Sequence, residues 1–311
     1  MRLPRLFLSF LLAGSVFAAD FNEKPKQYPF HFVVYGDIRF TNPADSRSSD
    51  PARRELLVEE IAQDKPAFVV ITGDLVLRGS TPTDWERFDA GVKPLRDTNA
   101  RILPTIGNHE LAGDPTASAY LAHFPELNNK RWYSQQYGNC AFFLLDSSQD
   151  LEGGEEWKWL DDGLRHLSKE TRFVFVVLHH PGLTHSSEKS PGGGHSTRPQ
   201  EAKLAELIEA AHARTGLPMF MLAGHVHNYE RYERNGVTYI TTGGGGATPY
   251  EIERNPEDIY HDTGPTYHFT QWTVSKNEVN FQMTKLSLED GKPKWEVKDS
   301  FTVKNKKGPK N

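Results

Sequence analysis

The sequence has a single cysteine among its 311 residues, and this scarcity excludes two kinds of protein. One cysteine cannot form an internal disulfide framework, and it cannot supply a zinc site built from cysteine ligands. After the first twenty residues, no apolar run approaches the length of a membrane-spanning helix. We also find no long internal repeat of the kind that builds solenoids or propellers.

A strong excess of charge is also missing. Lys and Arg number 36 and Asp and Glu number 41, so the formal net charge is −5. A mildly acidic chain is a poor candidate for nucleic-acid binding, and we expect no such partner. Hydrophobic residues make up 37% of the chain, which is too much for a disordered protein. The chain does have many histidines, 13 in all, and their grouping carries the functional argument.

The N-terminus has the pattern of a signal peptide. Arg2 and Arg5 precede an apolar run over residues 6–17, and Ala18 supplies a small residue for cleavage. A transmembrane anchor is the alternative, but the run is short for a bilayer about 30 Å thick. We expect cleavage of residues 1–18 and an exported protein, periplasmic or extracellular, without a membrane anchor.

We expect one domain over residues 28–303, followed by a basic tail over residues 304–311. The tail carries lysines and no acidic residue. A solvated, frayed end is the expected structure, and an interaction segment is the alternative.

Short apolar runs typical of buried strands alternate with helical patterns through the first two thirds of the chain. This alternation predicts the α/β class. The predicted strands include 31–35, 67–71, 101–106, 140–146, 172–178 and 219–222, and the predicted helices are 50–63, 83–96, 153–170 and 198–214.

Beyond His227 the pattern changes to hairpins. Residues 229–233 and 237–242 flank Asn235-Gly236, a strong turn signal, and further strand pairs follow to residue 302. We therefore expect a four-layer α/β/β/α sandwich, in which two facing mixed β-sheets are flanked by helices.

Polar side chains recur at the carboxyl ends of five predicted strands, where sites form in open α/β sheets. Each one alone has an ordinary explanation, because an Asp after a strand often caps the next helix. Five in order are hard to explain that way. The residues are Asp37, Asp74, Asn108 with His109, His179, and His225 with His227.

Carboxylates, an amide oxygen and imidazoles together suit zinc, iron or manganese better than calcium, which prefers oxygen ligands alone. Two such ions about 3.5–4 Å apart can clamp a phosphoryl group and lower the pKa of a bound water. The hydroxide so formed is the expected nucleophile, so no Ser or Cys nucleophile is needed. We expect two divalent or trivalent ions of the Fe, Zn or Mn type and a small phosphorylated substrate.

These motifs resemble those of the calcineurin-like metallophosphoesterases, and the later ones are most similar to the purple acid phosphatase branch. The resemblance covers roughly residues 30–285. It is carried by Gly36-Asp37-Ile-Arg39, Gly73-Asp74, Gly107-Asn108-His109-Glu110, His179-His180-Pro181, Gly224-His-Val-His-Asn-Tyr-Glu-Arg231 and Gly243–Gly246.

The resemblance implies a role for each matching residue. Asp37 and His227 would bind one metal and Asp74 would bridge both. His109 would stabilise the transition state or protonate the leaving oxygen, and His180 would be a structural neighbour. Asn108, His179 and His225 would bind the other metal.

The chain departs from the family at two positions. Arg39 stands where the family commonly has a histidine, and Leu77 stands where the purple branch has a metal-binding tyrosine. Without that tyrosine, the purple colour is not expected. Arg39 could hold two phosphate oxygens as a catalytic residue, or it could pair with a carboxylate such as Glu110.

Other histidines carry weaker signals. His195 lies in a glycine-rich loop where the family often places substrate contacts, and an ordinary surface histidine is the alternative. His261 and His268 could line the rim of the cleft.

We expect phosphomonoester hydrolysis by an acid-phosphatase-like enzyme. One alternative is phosphodiester or nucleotide hydrolysis on the same metal core, because loops rather than ligands decide the substrate. The other alternative is a non-catalytic module that binds phosphate or metal.

Overall fold

The computed structural model describes residues 21–186, 195–256 and 258–305. The predicted signal peptide over residues 1–18 lies outside these ranges, as do residues 306–311 of the predicted tail. Both stay predictions.

Thirteen strands of the described chain form two sheets. In chain order they are β1 (Phe21–Glu23), β2 (Phe30–Tyr35), β3 (Phe68–Ile71), β4 (Arg101–Pro104), β5 (Tyr133–Tyr137), β6 (Cys140–Leu144), β7 (Phe173–Val177), β8 (Met219–Ala223), β9 (Tyr229–Arg234), β10 (Val237–Thr242), β11 (Tyr267–Val274), β12 (Glu278–Glu289) and β13 (Lys292–Lys304). The seven-stranded sheet has the order β1-β5-β6-β7-β8-β10-β9, and the six-stranded sheet has the order β13-β12-β11-β2-β3-β4. Both sheets mix parallel and antiparallel pairs.

Six α-helices lie in the described residues. They are α1 (Pro51–Asp64), α2 (Pro82–Gly91), α3 (Lys93–Asp97), α4 (Ser118–His123), α5 (Glu155–Arg165) and α6 (Pro199–Thr215). Helix α1 begins as its sequence predicts, because Pro51 opens the first turn and the Asp50 side chain accepts a hydrogen bond from Arg53 N–H. In the described part of the chain, none of these helices has the length and apolar character needed to cross a bilayer.

The prediction of one helix over residues 83–96 was wrong. The segment forms α2 and α3, with Val92 between them, and the first helix starts at Pro82 rather than at a Thr83 cap. Pro94 explains the break. Its ring has no N–H and would clash with the carbonyl four residues back in a continuous helix.

Aromatic side chains fill the space between the two sheets. Phe32 of β2 meets Phe142 of β6 at 5.2 Å between ring centroids, and Trp272 of β11 meets Phe175 of β7 at 5.3 Å. All four side chains are fully buried. Contacts of this kind hold the facing sheets together as one core.

Helices cover the outer faces. Leu160 of α5 and Leu204 of α6 pack with Val174 and Met219 of the seven-stranded sheet. On the other side, α1 contacts β11 and α3 contacts β4. The predicted four-layer α/β/β/α sandwich is therefore confirmed.

The sheet topology gathers the strand ends that carry the polar motifs. In the six-stranded sheet, β2, β3 and β4 are parallel neighbours. In the other sheet, β6, β7, β8 and β10 are parallel. Their carboxyl ends open onto one edge of the sandwich, and the loops there form the site.

Candidate metal centre

Three of the predicted metal ligands have a backbone conformation that is rare outside glycine. Asp37, Asp74 and His225 have φ values of 56°, 54° and 69°. Such left-handed positions cost about 1–3 kcal/mol each and persist only when the surroundings enforce them. Here the loops hold one another, since Asp37 N–H donates to the Gly73 carbonyl at 3.0 Å.

Glycines beside the ligands let the loops approach closely. A Cβ atom at Gly107 would lie 2.3 Å from Asp74 Oδ1, and one at Gly224 would lie 2.5 Å from Asp37 Oδ2. Any side chain at these two positions would displace a carboxylate. This explains why the motifs contain glycine directly before the functional residues.

Four ligand atoms converge on one point, which we call the second half-site and define by Asp74, Asn108, His179 and His225. The His179 Nε2 atom lies 3.0 Å from Asn108 Oδ1, 3.2 Å from His225 Nδ1 and 3.4 Å from Asp74 Oδ1. A tetrahedral metal with ligands at about 2.0–2.1 Å has ligand–ligand edges of roughly 3.3–3.4 Å. The spacing therefore fits a metal ion.

The hydrogen bonds of His179 strengthen this fit. Its Nδ1 lies 2.9 Å from the Thr72 carbonyl, which can only accept, so Nδ1 carries the proton. The lone pair of Nε2 then faces the acceptor oxygen of Asp74. Burial lowers the pKa of His179, which favours this neutral form. Lone pairs that face one another in a buried site call for a cation between them.

We define the first half-site by Asp37, His227 and the second carboxylate oxygen of Asp74, Oδ2. His227 Nε2 lies 3.5 Å from Asp37 Oδ1, and His227 Nδ1 lies 3.1 Å from the Thr248 carbonyl. Asp37 Oδ2 accepts from His225 N–H at 2.9 Å, whereas the buried Asp37 Oδ1 finds no hydrogen-bond partner among the described residues. An orphaned carboxylate oxygen of this kind also fits a cation.

The carboxylates of the first half-site differ in their electrostatics. Burial, followed by the charge of Asp74, raises the pKa of Asp37 well above its usual value. Burial also pushes the pKa of Asp74 upward, but the charge of Arg39 and the hydrogen bond from His109 N–H oppose that shift, and the pKa lies well below its usual range. Asp74 is thus the anion around which both half-sites are organised.

Arg39 lies inside the first half-site. Its Nη2 donates to Asp74 Oδ2 at 3.0 Å and to His227 Nε2 at 3.1 Å. The alternative expectation was a pairing of Arg39 with a carboxylate such as Glu110. Arg39 does pair with a carboxylate, but that carboxylate belongs to Asp74. The Glu110 carboxylate accepts from backbone N–H groups instead.

Glu110 is a positioning residue that the sequence reasoning missed as such. Its Oε2 accepts from the N–H groups of Asp74 and Gly107 at 2.9 and 2.7 Å, and its Oε1 accepts from Leu75 and Val76 at 2.8 and 3.2 Å. Burial and the charge of Asp74 raise its pKa, while the N–H donors oppose that shift. The sequence signal that could have identified Glu110 as a positioning residue was its place directly after Asn108 and His109 in the motif.

His109 is held with its other nitrogen facing the cleft. Its Nδ1 lies 2.6 Å from the carbonyl of Leu77, so this nitrogen carries a proton and donates. Its Nε2 lies 3.8 Å from Asp74 Oδ2, and the side chain is about a quarter exposed. Leu77, at the position of the absent tyrosine, thus contributes its backbone carbonyl to the orientation of His109.

A cleft of 440 Å³ lies over both half-sites. Arg47 and Tyr250 are lining residues that sequence reasoning missed, and no motif marks either of them. The ring of Tyr250 lies 5.4 Å from that of His227, and its hydroxyl accepts from His227 N–H at 3.2 Å. The cleft is large enough for a small phosphorylated molecule.

His195 is brought to this cleft rather than to the outer surface. It is buried, and its ring lies 4.8 Å from that of His225 and 5.3 Å from that of Tyr250. The structure therefore places it beside a predicted ligand, as a substrate contact requires. Its role as a substrate contact stays a prediction.

Two other histidines have structural partners. His180 Nδ1 lies 2.9 Å from the Ser147 hydroxyl, and burial lowers its pKa. His180 also belongs, with His179 and His225, to a group of imidazoles close enough to share an ion. His268 is fully buried between Thr242 and Thr266, so the expectation that it lines the cleft rim was wrong.

Comparison with known proteins agrees with this geometry. The model of the calcineurin-like phosphoesterase family matches residues 30–229. The chain is 28% identical over 269 residues to probable purple acid phosphatase 20 of Arabidopsis thaliana, covering 76% of this chain and 57% of that protein. It is 25% identical over 320 residues to probable inactive purple acid phosphatase 1 of the same plant, covering 87% of this chain and 49% of that protein.

A solved structure supports the fold. Purple acid phosphatase PPD1 from yellow lupin, Lupinus luteus, superposes with a TM-score of 0.73 at 20% identity, covering 88% of this chain and 53% of that chain. The chain spans about half the length of the curated relatives it matches. One of those relatives is named as inactive, so the relationship by itself does not establish catalysis.

Proposed function

Because the chain belongs to the calcineurin-like phosphoesterase family, we propose that it is an enzyme that hydrolyses small phosphomonoesters at its metal centre. The observation that carries this proposal is the position of His109. It takes no part in either half-site as a ligand, yet its Nε2 faces the cleft beside the shared carboxylate of Asp74. A module that only binds metal has no use for such a group.

The metal would be held by side chains already in place. Asp74, Asn108, His179 and His225 would bind one ion, and Asp37 and His227 would bind the other together with Asp74. When bound, such ions act as Lewis acids toward a phosphoryl oxygen and lower the pKa of a coordinated water. We propose iron, zinc or manganese for both positions, as the mixed oxygen and nitrogen ligands suggest.

The chain's own residues then handle the leaving group. With Nδ1 held by the Leu77 carbonyl, a protonated His109 can donate only from Nε2, which faces the cleft. An oxygen from water would bond to phosphorus as the phosphorus–oxygen bond of the ester breaks. The His109 proton would pass to the ester oxygen, so an alcohol and inorganic phosphate would be released. His195 and Arg47 lie at the same cleft, where they can contact the phosphate or the group attached to it.

Replacement of His109 tests catalysis. We expect His109→Ala to lower kcat on p-nitrophenyl phosphate by roughly 10²–10⁴-fold, the usual contribution of a general acid. His166→Ala is the matched control, because His166 is exposed at the C-terminal end of α5 and its ring contacts Asp162 of that helix. If wild type and His109→Ala hydrolysed the ester at the same rate, His109 would be incidental to any measured hydrolysis. This result would favour the non-catalytic alternative.

Substrate class is tested separately. The same preparations are assayed on p-nitrophenyl phosphate and on its bis ester, with metal content measured in parallel. A monoester leaves one more phosphate oxygen free for the ions and for Arg47, so we expect it to be the faster substrate. A strong preference for the bis ester would support the phosphodiesterase alternative instead.

We also propose that the protein is exported after removal of residues 1–18, on the basis of the charged and apolar pattern described above. N-terminal sequencing of the protein secreted by an expressing cell should begin at Ala19. A retained Met1 in the cell-associated protein would contradict export.

A further inference from the structure

We propose that Arg39 is a built-in competitor for the first half-site, so that the two metal positions load unequally. The second half-site would bind an ion first and tightly. The first half-site would bind an ion only when the guanidinium leaves. This inference rests on the proposed metal-dependent function, because it concerns the order in which that same centre is filled.

The guanidinium occupies the place that an ion would need. Arg39 Nη2 lies 3.0 Å from Asp74 Oδ2 and 3.1 Å from His227 Nε2, two of the three groups that define the first half-site. These atoms point their lone pairs at Arg39, since His227 Nδ1 is committed to the Thr248 carbonyl. A second cation cannot use the same lone pairs while Arg39 donates to them.

The two oxygens of Asp74 divide the centre. Oδ2 accepts from Arg39, whereas Oδ1 faces His179 Nε2 at 3.4 Å on the side of the second half-site. In the second half-site the lone pairs of His179 and Asp74 face each other, with Asn108 Oδ1 at 3.0 Å from His179. One half-site therefore already holds the guanidinium, whereas the other presents a complete set of ligand atoms.

Neighbouring residues hold the Arg39 backbone in place. Its φ is 47°, and its N–H donates to the Asp74 carbonyl at 2.9 Å. Its own carbonyl accepts from Arg54 Nη1 at 3.0 Å, and the buried Arg54 guanidinium lies 4.0 Å from the ring of Phe40. The Arg39 side chain is 13% exposed. This arrangement differs from that of a surface arginine that meets a carboxylate by chance.

Charge explains why the competition is strong. Asp37 and Asp74 are both buried, and a buried carboxylate is stable only when paired. Arg39 supplies a permanent positive charge to that pair. An ion entering the first half-site must break two charge-assisted hydrogen bonds, so we expect its affinity to be roughly 10- to 100-fold below that of the second half-site.

Titration with Zn²⁺ alone tests this order. Metal-free wild type is titrated by calorimetry, and ion content is measured after dialysis against limiting Zn²⁺. We expect one ion per chain after dialysis, and two calorimetric steps separated by at least tenfold in Kd. In Arg39→Ala the steps should converge, and two ions per chain should remain.

Two further variants serve as controls. Arg47→Ala removes an exposed cation that lines the same cleft, so its Zn²⁺ content and the separation of its two calorimetric steps should match those of wild type if general charge is not the cause. Arg39→Lys keeps a positive charge and should keep the unequal steps. Wild type with two equally tight ions would overturn the proposal, and this result does not depend on whether Arg39→Ala folds. A larger ion content in Arg47→Ala would overturn it as well.

Failure of this inference is distinguishable from failure of the proposed function. Two equal sites together with phosphatase activity would overturn the role of Arg39 and leave the function standing. Unequal sites without hydrolysis of either ester would leave the loading order standing and remove the catalytic proposal.

Discussion

At the scale of single residues, the centre depends on groups that orient other groups. Glu110 contacts neither half-site as a ligand, yet it accepts four backbone N–H groups from the loops that carry Asp74 and Asn108. His109 and His179 each use one ring nitrogen on a backbone carbonyl, which directs the other nitrogen into the site. Such bonds fix geometry that the ligands alone would not hold.

Replacement of Glu110 tests this residue-scale argument. In Glu110→Gln the side-chain amide would face N–H groups that now donate to Oε1 or Oε2, because an amide has a single acceptor oxygen. We expect a loss of about 2–4 kcal/mol in the free energy of unfolding, measured in urea, together with lower activity.

Glu126→Gln is a suitable control, because Glu126 is an exposed residue outside the site. It should stay within about 0.5 kcal/mol of wild type. A Glu110→Gln protein as stable as wild type would show that the backbone loops do not need the carboxylate.

At the scale of elements, helix α5 brings a buried acid against the end of β6. Glu156 Oε1 accepts from Asp146 N–H at 2.7 Å, and Oε2 has no hydrogen-bond partner within the described ranges. Burial raises the pKa of Glu156 to about 9. The contact between helix and strand therefore favours a protonated acid.

This shift predicts a pH dependence of stability. An unfolded chain releases the Glu156 proton near its ordinary pKa of 4.5, whereas the folded protein keeps it to about 9. Between these values the folded state binds more protons, so stability falls as pH rises. Glu156→Gln keeps the acceptor for Asp146 and removes the titration. We expect a gain of roughly 2–4 kcal/mol at pH 8 and none near pH 4.5, by urea unfolding.

The neighbouring Glu155→Gln is the matched control, because Glu155 lies in the same turn of α5 but is exposed. Its stability should follow wild type at both pH values. If the free energy of unfolding of Glu156→Gln at pH 8 equalled that of wild type, the inference that Glu156 is buried and protonated would be contradicted.

At the scale of the whole molecule, the site joins the two sheets. Asp37, Asp74 and Asn108 follow strands of the six-stranded sheet, whereas His179, His225 and His227 follow strands of the other. An ion in either half-site would therefore be bound by both sheets. Binding of an ion at the centre would then stabilise the complete sandwich.

Removal of metal should accordingly destabilise the fold. A ligand present at about 100 times its Kd stabilises the folded state by about 2.7 kcal/mol, so chelation should lower Tm by roughly 5–10 °C. Zn²⁺ should restore the transition and Ca²⁺ should not, because imidazole ligands do not suit calcium. Identical melting curves before and after chelation, with metal content verified, would show that ions do not bridge the sheets.

The amino-acid sequence by itself determined the fold class and the residues that gather at the site. Strand ends at Asp37, Asp74 and His179 were readable because apolar runs stop there, and the hairpin at Asn235-Gly236 was readable from its turn residues. These signals are local, and local patterns are what a sequence displays directly. The helix break at Pro94 also has a local signal in the sequence, but the predicted helix over residues 83–96 did not include a break there.

Only the tertiary structure decided which groups meet. Arg39 and Glu110 are 71 positions apart in the chain, and their charges would allow them to form an ion pair with each other. In the structure, Arg39 pairs with Asp74 instead, and backbone N–H groups surround Glu110. His195 lies in a glycine-rich stretch of the sequence, yet it is buried beside His225. His268 was expected at the cleft rim, yet it is fully buried and lies within hydrogen-bonding distance of Thr242. Partner choice depends on distances in space between residues far apart in the chain, and no local pattern records them.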